Sequence, residues 1–308
     1  MRILGCVFAF ALVAFADPVT AVDDDAAKAA LESFEEAFKT KDVGAKQGAL
    51  YNLHDVPHDL VLKRLEKALR DRDPKVKQVA ALAIGGQQHD PKKAGGILMK
   101  LYKKEFDTEE VLMSTLEGMA ELRYMAYWPE VKPAMKDERN AVVIRVLDLL
   151  GTNQDFRALP ELLEMYKVAM PKRVSWTTGT VTVDTGTAGD ADQKAAEAAW
   201  TAKYGQGGSK AKAKAKAKAR AFDERNFDSQ IRKCVKQITG QDFDNAMDFE
   251  AWYIENYVDC ARKAAELDGS DPDKAAAKAE SELPEMKREF EEQVKKLEEE
   301  MAKAQGGN

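Results

Sequence analysis

The stretch RDPKVKQVAALAIGG, residues 72–86, decides the reading of the fold. Asp73 precedes Pro74, and a proline fits the first position of a helix, where its missing N–H is not needed. An aspartate just before it accepts from the unpaired N–H groups of the first turn. Val76, Val79, Ala80 and Ala83 follow at helical spacing on one face. Gly85 ends the run, where a left-handed residue closes many helices. The segment predicts one amphipathic helix with a start and a stop.

Working outward, the pattern returns. DTEEVLMSTLEGMAEL (107–122) has Val111, Leu112, Thr115, Leu116 and Met119 on one stripe, with Gly118 as its predicted stop. ERNAVVIRVLDLLGTN (138–153) has Val142, Val143, Val146, Leu147 and Leu150, with Gly151. Gly85, Gly118 and Gly151 stand 33 residues apart, and Asn52, which also tolerates a left-handed turn, stands one period earlier. Before each of the three glycine-bearing segments lies a second predicted helix: 59–70, 92–104 and 127–138. A two-helix unit cannot bury its apolar face alone, so neighbours must stack. The predicted fold class is all-α, an α-solenoid of helix pairs.

A period of 33 also fits ankyrin and TPR repeats, but the T-P-L-H of the first and the W-x₂-L-G-x₂-Y of the second are absent. Asp73, Pro74, Val76, Ala80, Ala83 and Gly85 resemble the second helix of a HEAT repeat. The likeness covers residues 24 to about 167 and resumes later. Thr239, Gly240, Asp242, Phe243 and Trp252 are similar to the closing segment of exported bacterial HEAT-repeat proteins. The resemblance implies a HEAT-like protein outside the cytoplasm and no particular activity.

The N-terminus supports that address. Arg2 is followed by an apolar run from Ile3 to Ala16, then by AFA (14–16) and VTA (19–21), two small-residue cleavage candidates. The run is short for a membrane span and suits a signal peptide; the rival reading is a buried first helix. Residues 1–21 are assigned to the signal and 22–167 to HEAT-like repeats. No lipid or transmembrane anchor is predicted for the mature form.

The fifth repeat looks interrupted. DFRALPELLEMYK (155–167) reads as a first helix, and its partner comes only at 228–240, DSQIRKCVKQITG. Ile231, Val235 and Ile238 fall where Val76, Ala80 and Ala83 did. Residues 168–227 are therefore predicted to be an insertion; the alternative is two short domains that abut. Within it, 173–184 alternates β-branched and polar residues around Thr178–Gly179, the signature of a hairpin that must dock to be stable. Residues 189–205 read as a helix capped by Asp190, with Trp200 and Tyr204 on one edge. Then comes GSKAKAKAKAKARAF (208–222), with Lys210, Lys212, Lys214, Lys216, Lys218 and Arg220 alternating with alanine. Lysines at every second residue circle a helix and repel, so the run reads as an extended tether. The rival is a basic patch for an anionic wall or surface polymer. Trp176 and Trp200 are the best anchors for a partner, because aromatics dominate binding hot spots; otherwise they pack the hairpin on the helices. The candidate partner-binding set is Trp176, Trp200, Tyr204 and these six cations.

Residues 228–267 are read as the resumed repeat and its cap, with Phe249, Trp252, Tyr253 and Cys260 on one face of a single helix. Residues 268–308 are charged, and Leu283, Met286, Phe290, Val294, Leu297 and Met301 are spaced 3, 4, 4, 3, 4, an eleven-residue period. This stripe predicts a nearly straight helix that needs a groove on its own solenoid or a partner. Cys234 and Cys260, offset by roughly 10 Å in a helical hairpin at 1.5 Å per residue, are predicted to stay unbridged.

The chain has 308 residues, 32% of them charged, with a net charge of −6. An acidic total argues against nucleic acid, whose affinity comes from counterion release by basic side chains. His54 and His58 are separated by Pro57, which breaks the helix needed to present both to one metal. No H-E-x-x-H, G-x-S-x-G or P-loop is present. Asp190 and Asp192 form at most a weak Ca²⁺ site, and helix capping suits them better. The expected function is a non-enzymatic protein-binding scaffold with no cofactor or metal. The alternatives are a structural envelope component that binds an anionic polymer, and a HEAT-like lyase, which the missing catalytic groups disfavour.

Overall fold

The computed structural model describes residues 21–169, 175–177, 180–182 and 224–305. Among them the chain is all-α apart from one short antiparallel strand pair. The helices are α1 (Asp24–Lys39), α2 (Val43–Asn52), α3 (Asp59–Ala68), α4 (Pro74–Gly85), α5 (Pro91–Lys104), α6 (Glu109–Glu121), α7 (Trp128–Val131), α8 (Asn140–Thr152), α9 (Leu159–Ala169), α10 (Glu224–Thr239), α11 (Ala246–Glu255), α12 (Tyr257–Asp268) and α13 (Pro272–Gln305). The strands are β1 (Ser175–Thr177) and β2 (Thr180–Thr182), with Trp176 opposite Val181.

The opening stretch forms α4 as its residues dictate. Pro74 sits in the first turn and Asp73 accepts from the Lys75 N–H at 2.8 Å. Val76, Val79, Ala80 and Ala83 are buried. α4 packs on α2 and α6, α6 on α8, and α8 on α10, while α1, α3 and α5 lie against α2, α4 and α6. One apolar core runs from Ala27 to Cys260.

The glycines 33 apart do a different job from the one their position suggests. Gly85 is the last residue of α4, Gly118 and Gly151 lie inside α6 and α8, and none has a positive φ. They are contact points between successive helices. A Cβ on Gly85 would lie 2.9 Å from the Gly118 Cα, and one on Gly118 would lie 2.7 Å from the Ala81 oxygen. A Cβ on Gly151 would meet the Cys234 Cα at 3.4 Å and crowd the Gln237 side chain. The left-handed stops of α6 and α8 are Arg123 (φ 49) and Gln154 (φ 50). In each the next N–H reaches back to the helix: Tyr124 to the Met119 oxygen, and Asp155 to the Leu150 oxygen.

Two predicted helices are shorter than their patterns. The 127–138 segment becomes a 3-10 turn (Met125–Tyr127), one turn of α7 and a second 3-10 turn (Lys132–Lys136). Pro129 and Pro133 remove backbone donors four residues apart, so a continuous ladder cannot form. The helix bearing Trp252 and Cys260 breaks at Asn256 (φ −105, ψ 11), whose side chain donates to the Trp252 oxygen at 2.8 Å. Trp252 and Cys260 therefore lie on separate helices, α11 and α12. Both Cys234 and Cys260 are free thiols and buried. α13 is one 34-residue helix with Pro284 inside it.

Candidate functional site

Of the residues the sequence nominates for partner binding, only the backbone of Trp176 is described, in β1. Its side chain, and Trp200, Tyr204, Lys210, Lys212, Lys214, Lys216, Lys218 and Arg220, lie outside the described residues, as do Asp190, Asp192 and residues 1–20. What is described is the root from which 170–223 departs, between α9 and α10.

That root is firmly built. α9 packs on α10 and α11. The Tyr166 hydroxyl donates to the Phe243 oxygen, and Arg232 donates to the same oxygen at 3.1 Å and to that of Asp244 at 2.9 Å. Lys167 pairs with Glu250 at 2.7 Å. Phe249 stacks on Phe243 with centroids 5.1 Å apart and meets Tyr166 edge-on at 5.5 Å. Trp252 covers the edge of this cluster. In the Thr-Gly-x-Asp-Phe block and its tryptophan, Phe243 and Trp252 thus serve packing, while Gly240 takes a positive φ after α10 and Asp242 pairs with Lys236 at the surface.

A second polar centre, missed from sequence, joins α8, α12 and the turn before α7. Tyr127 donates to Asp155 at 2.7 Å. Arg157 grips both Asp155 oxygens, at 2.8 and 2.7 Å, and donates to Asp268 at 2.7 Å and to the Met125 oxygen at 2.8 Å. Burial works against the Arg157 charge, but the bonds to Asp155 and Asp268 outweigh it. Burial, with Asp155 beside it, pushes the Tyr127 hydroxyl far above its usual range. A locked cation and a hydroxyl that stays protonated hold structure and offer no base. Asp155 and Arg157 were visible in sequence as DFR, but nothing there marked them as buried.

The histidines act locally. His58 accepts from the Leu60 N–H at its Nδ1, so its Nε2 carries the proton and donates to Asp24 at 3.0 Å, which ties α1 to the start of α3. His54 lies between Asp55 at 2.6 Å and Glu121 at 2.8 Å. Burial opposes its charge, yet the two carboxylates win and its basicity rises. His89 is 3.9 Å from Asp59, and burial lowers its basicity. No metal-holding group of three or more His, Cys, Asp or Glu exists among the described residues.

The surface carries one more feature. α5 contains no acid, and Lys92, Lys93, Lys100, Lys103 and Lys104 are all exposed. Lys93 meets Asp59 of α3 at 2.6 Å, and Lys103 meets Glu130 of α7 at 2.7 Å, so the lysine face is edged by its neighbours' carboxylates. Two surface depressions among the described residues are shallow and open, one lined by Glu32, Ser33, Glu35 and Glu36, the other by Asp107, Lys136, Asp137, Glu138 and Arg139. No helix among the described residues is long and apolar enough to cross a membrane. No protein-family model matches the chain, and a search of curated proteins returns no match.

Proposed function

We propose that the chain is a HEAT-like α-solenoid that acts outside the cytoplasm as a non-enzymatic scaffold for another protein, with the 168–227 insertion as its contact element. The observation that carries this reading is the register of contacts between helices. Polar partners one helix pair apart are separated by 28 residues for Lys77 and Glu105, 33 for Arg139 and the Phe106 oxygen, and 34 for Lys93 and Asp59. Lys233 and Asp148 make the same kind of contact at a separation of 85, and Lys167 and Glu250 at 83. The excess matches the length of the stretch between α9 and α10, which supports reading that stretch as an insertion in a continuing array. Insertions in helical repeats emerge on one face, often the one that binds. The reading as an exported protein rests on residues 1–21 as a signal.

A photo-crosslinking amino acid placed at 176 and at 200 in the full chain tests this in the producing cells. Discrete protein adducts at these positions, absent when the probe replaces exposed Glu36 on α1, are expected. Adducts to carbohydrate or lipid polymer alone would instead support the envelope-component reading, which the lysine face of α5 favours. No adduct at either position overturns the contact role.

A further inference from the structure

The last helix outruns the body it packs on. Ala276 and Ala279 of α13 are buried, α13 lies along α12 and α11, and the core reaches it as far as Met286. Tyr257 of α12 donates to Glu282 at 2.8 Å, close to where that contact ends. α13 continues to Gln305, so the segment 287–305 extends about 28 Å further at 1.5 Å per residue. On the side of the buried alanines stand Phe290, Val294 and Leu297 and, by spacing, Met301. The stripe is alanine at 276 and 279, which are buried, and large from Leu283 onward. Phe290, Val294 and Leu297 are half-buried, and none of them belongs to the set packed on the core, which ends at Met286.

Met286 is the residue that makes the period of the stripe eleven, and it packs on the core. Beyond it, Phe290, Val294, Leu297 and Met301 are spaced 4, 3, 4, which is the d, a, d, a of a heptad seam. That spacing reads the same in both directions. Its centre falls between Lys295 and Lys296, and the midpoint of 287–305 is residue 296. An antiparallel second copy therefore sets Phe290 on Met301 and Val294 on Leu297, and each helix ends where the other copy's body begins. A parallel copy does not fit, because its helix would continue along the face that α11 and α12 already cover.

We propose that residues 287–305 pair with the same segment of a second copy as a short antiparallel two-helix coil. The proposal is independent of the scaffold reading. The flanks of the seam set its character. Glu291 and Glu298 border one side, Gln293 and Glu300 the other. Antiparallel pairing brings Glu291 opposite Glu298 of the second copy, twice per dimer, and like charges at such positions weaken a helix pair. The dimer is therefore a weak one that salt strengthens by screening, the opposite of an association driven by charge attraction.

Sedimentation equilibrium of the full chain, up to about 200 µM and at about 0.05 and 0.5 M salt, tests it. A reversible monomer–dimer equilibrium that tightens at the higher salt is expected. Leu297→Glu should weaken it by at least about tenfold, by placing a charge in the seam. Glu298→Lys should tighten it by about tenfold, since two like-charge contacts become two attractive ones. Glu298 is exposed on a free flank, so this variant keeps the fold, which the melting curve checks. Parallel pairing would set Glu298 beside Gln293 and leave the dissociation constant unmoved by Glu298→Lys. A chain that stays monomeric at both salt concentrations, or a dimer that Glu298→Lys does not tighten, overturns the proposal.

Discussion

The Tyr127 hydroxyl and the Asp155 carboxylate meet at 2.7 Å with neither side chain in contact with water. Arg157 closes the same centre and carries it to Asp268 at the end of α12. Removing one partner of a buried pair leaves a charge without compensation, which costs about 3–5 kcal/mol. Asp155→Ala is expected to fall in that range in urea unfolding. Tyr127→Phe should lose about 1.5–3 kcal/mol, the worth of a hydrogen bond to a charged group. Asp268 is half exposed, so Asp268→Ala should cost under about 1 kcal/mol. A loss below about 1 kcal/mol for Asp155→Ala would mean that the centre is wetter than its geometry.

The glycine contacts separate two explanations of one residue type. Helix propensity alone favours alanine over glycine by about 1 kcal/mol in a helix interior. Gly96 of α5 has open space above it, so Gly96→Ala should stabilise by roughly 0.5–1 kcal/mol. Gly118 of α6 has the Ala81 oxygen 2.7 Å from where a Cβ would stand. Gly118→Ala should therefore destabilise by about 1–3 kcal/mol through overpacking. Thermal melting of the two variants should move in opposite directions; movement in the same direction would remove the close-contact role.

What the sequence made legible follows from this contrast. Apolar spacing gave α4, α6 and α8 and their buried faces, because burial of a stripe is local information. The period of 33 was also legible, yet its meaning was not. A glycine at a helix end and a glycine under a neighbouring helix look alike in one dimension, and only the position of α6 beside α4 tells them apart. Arg123 and Gln154 take the left-handed stops without any compositional signal. Pro129 and Pro133 were visible, and their spacing of four could have forecast the broken helix. Asp155, Arg157 and Asp268 could not have been paired, since 111 residues separate the last two. For the candidate site, the sequence nominates side chains from 176 to 220, and the structure speaks to their root at Tyr166, Arg232 and Phe243.

Both described cysteines should be slow to react. Burial raises the Cys234 thiol well above its usual range, helped by Asp148 and Asp155, and pushes Cys260 up to about 12. The thiolate is the reactive form. In native buffer, alkylation of Cys234 and Cys260 should be suppressed, and in denaturant without reductant both should be labelled. Peptide mass mapping separates them from Cys6. Rapid native labelling of Cys260 would show that α12 and α13 separate in solution.

Alkaline pH should unfold the protein through the same buried groups. Burial raises Tyr127 far above its usual range, raises Tyr253 likewise, and pushes Tyr102 and Tyr257 up to about 12. A group whose folded-state pKa is raised contributes its full stability below the unfolded value. That contribution is lost as pH climbs from the unfolded value towards the folded one, because only the unfolded chain releases the proton. For tyrosine the loss begins near pH 10 and runs at about 1.4 kcal/mol per pH unit for each such group. Stability should thus be flat with respect to these tyrosines up to about pH 9 and fall steeply above pH 10. Tyr127→Phe supplies the control, since phenylalanine has no proton to lose. The variant starts less stable at pH 8, but the gap between it and the parent chain should narrow by about 1 kcal/mol from pH 10 to pH 11, because the unfolded tyrosine is half ionised at pH 10. Urea unfolding of both chains at pH 8, 10 and 11 measures this. Curves that stay parallel over that interval would mean that Tyr127 ionises as easily in the folded protein as in the unfolded one, and the centre it forms with Asp155 and Arg157 would have to be open to water.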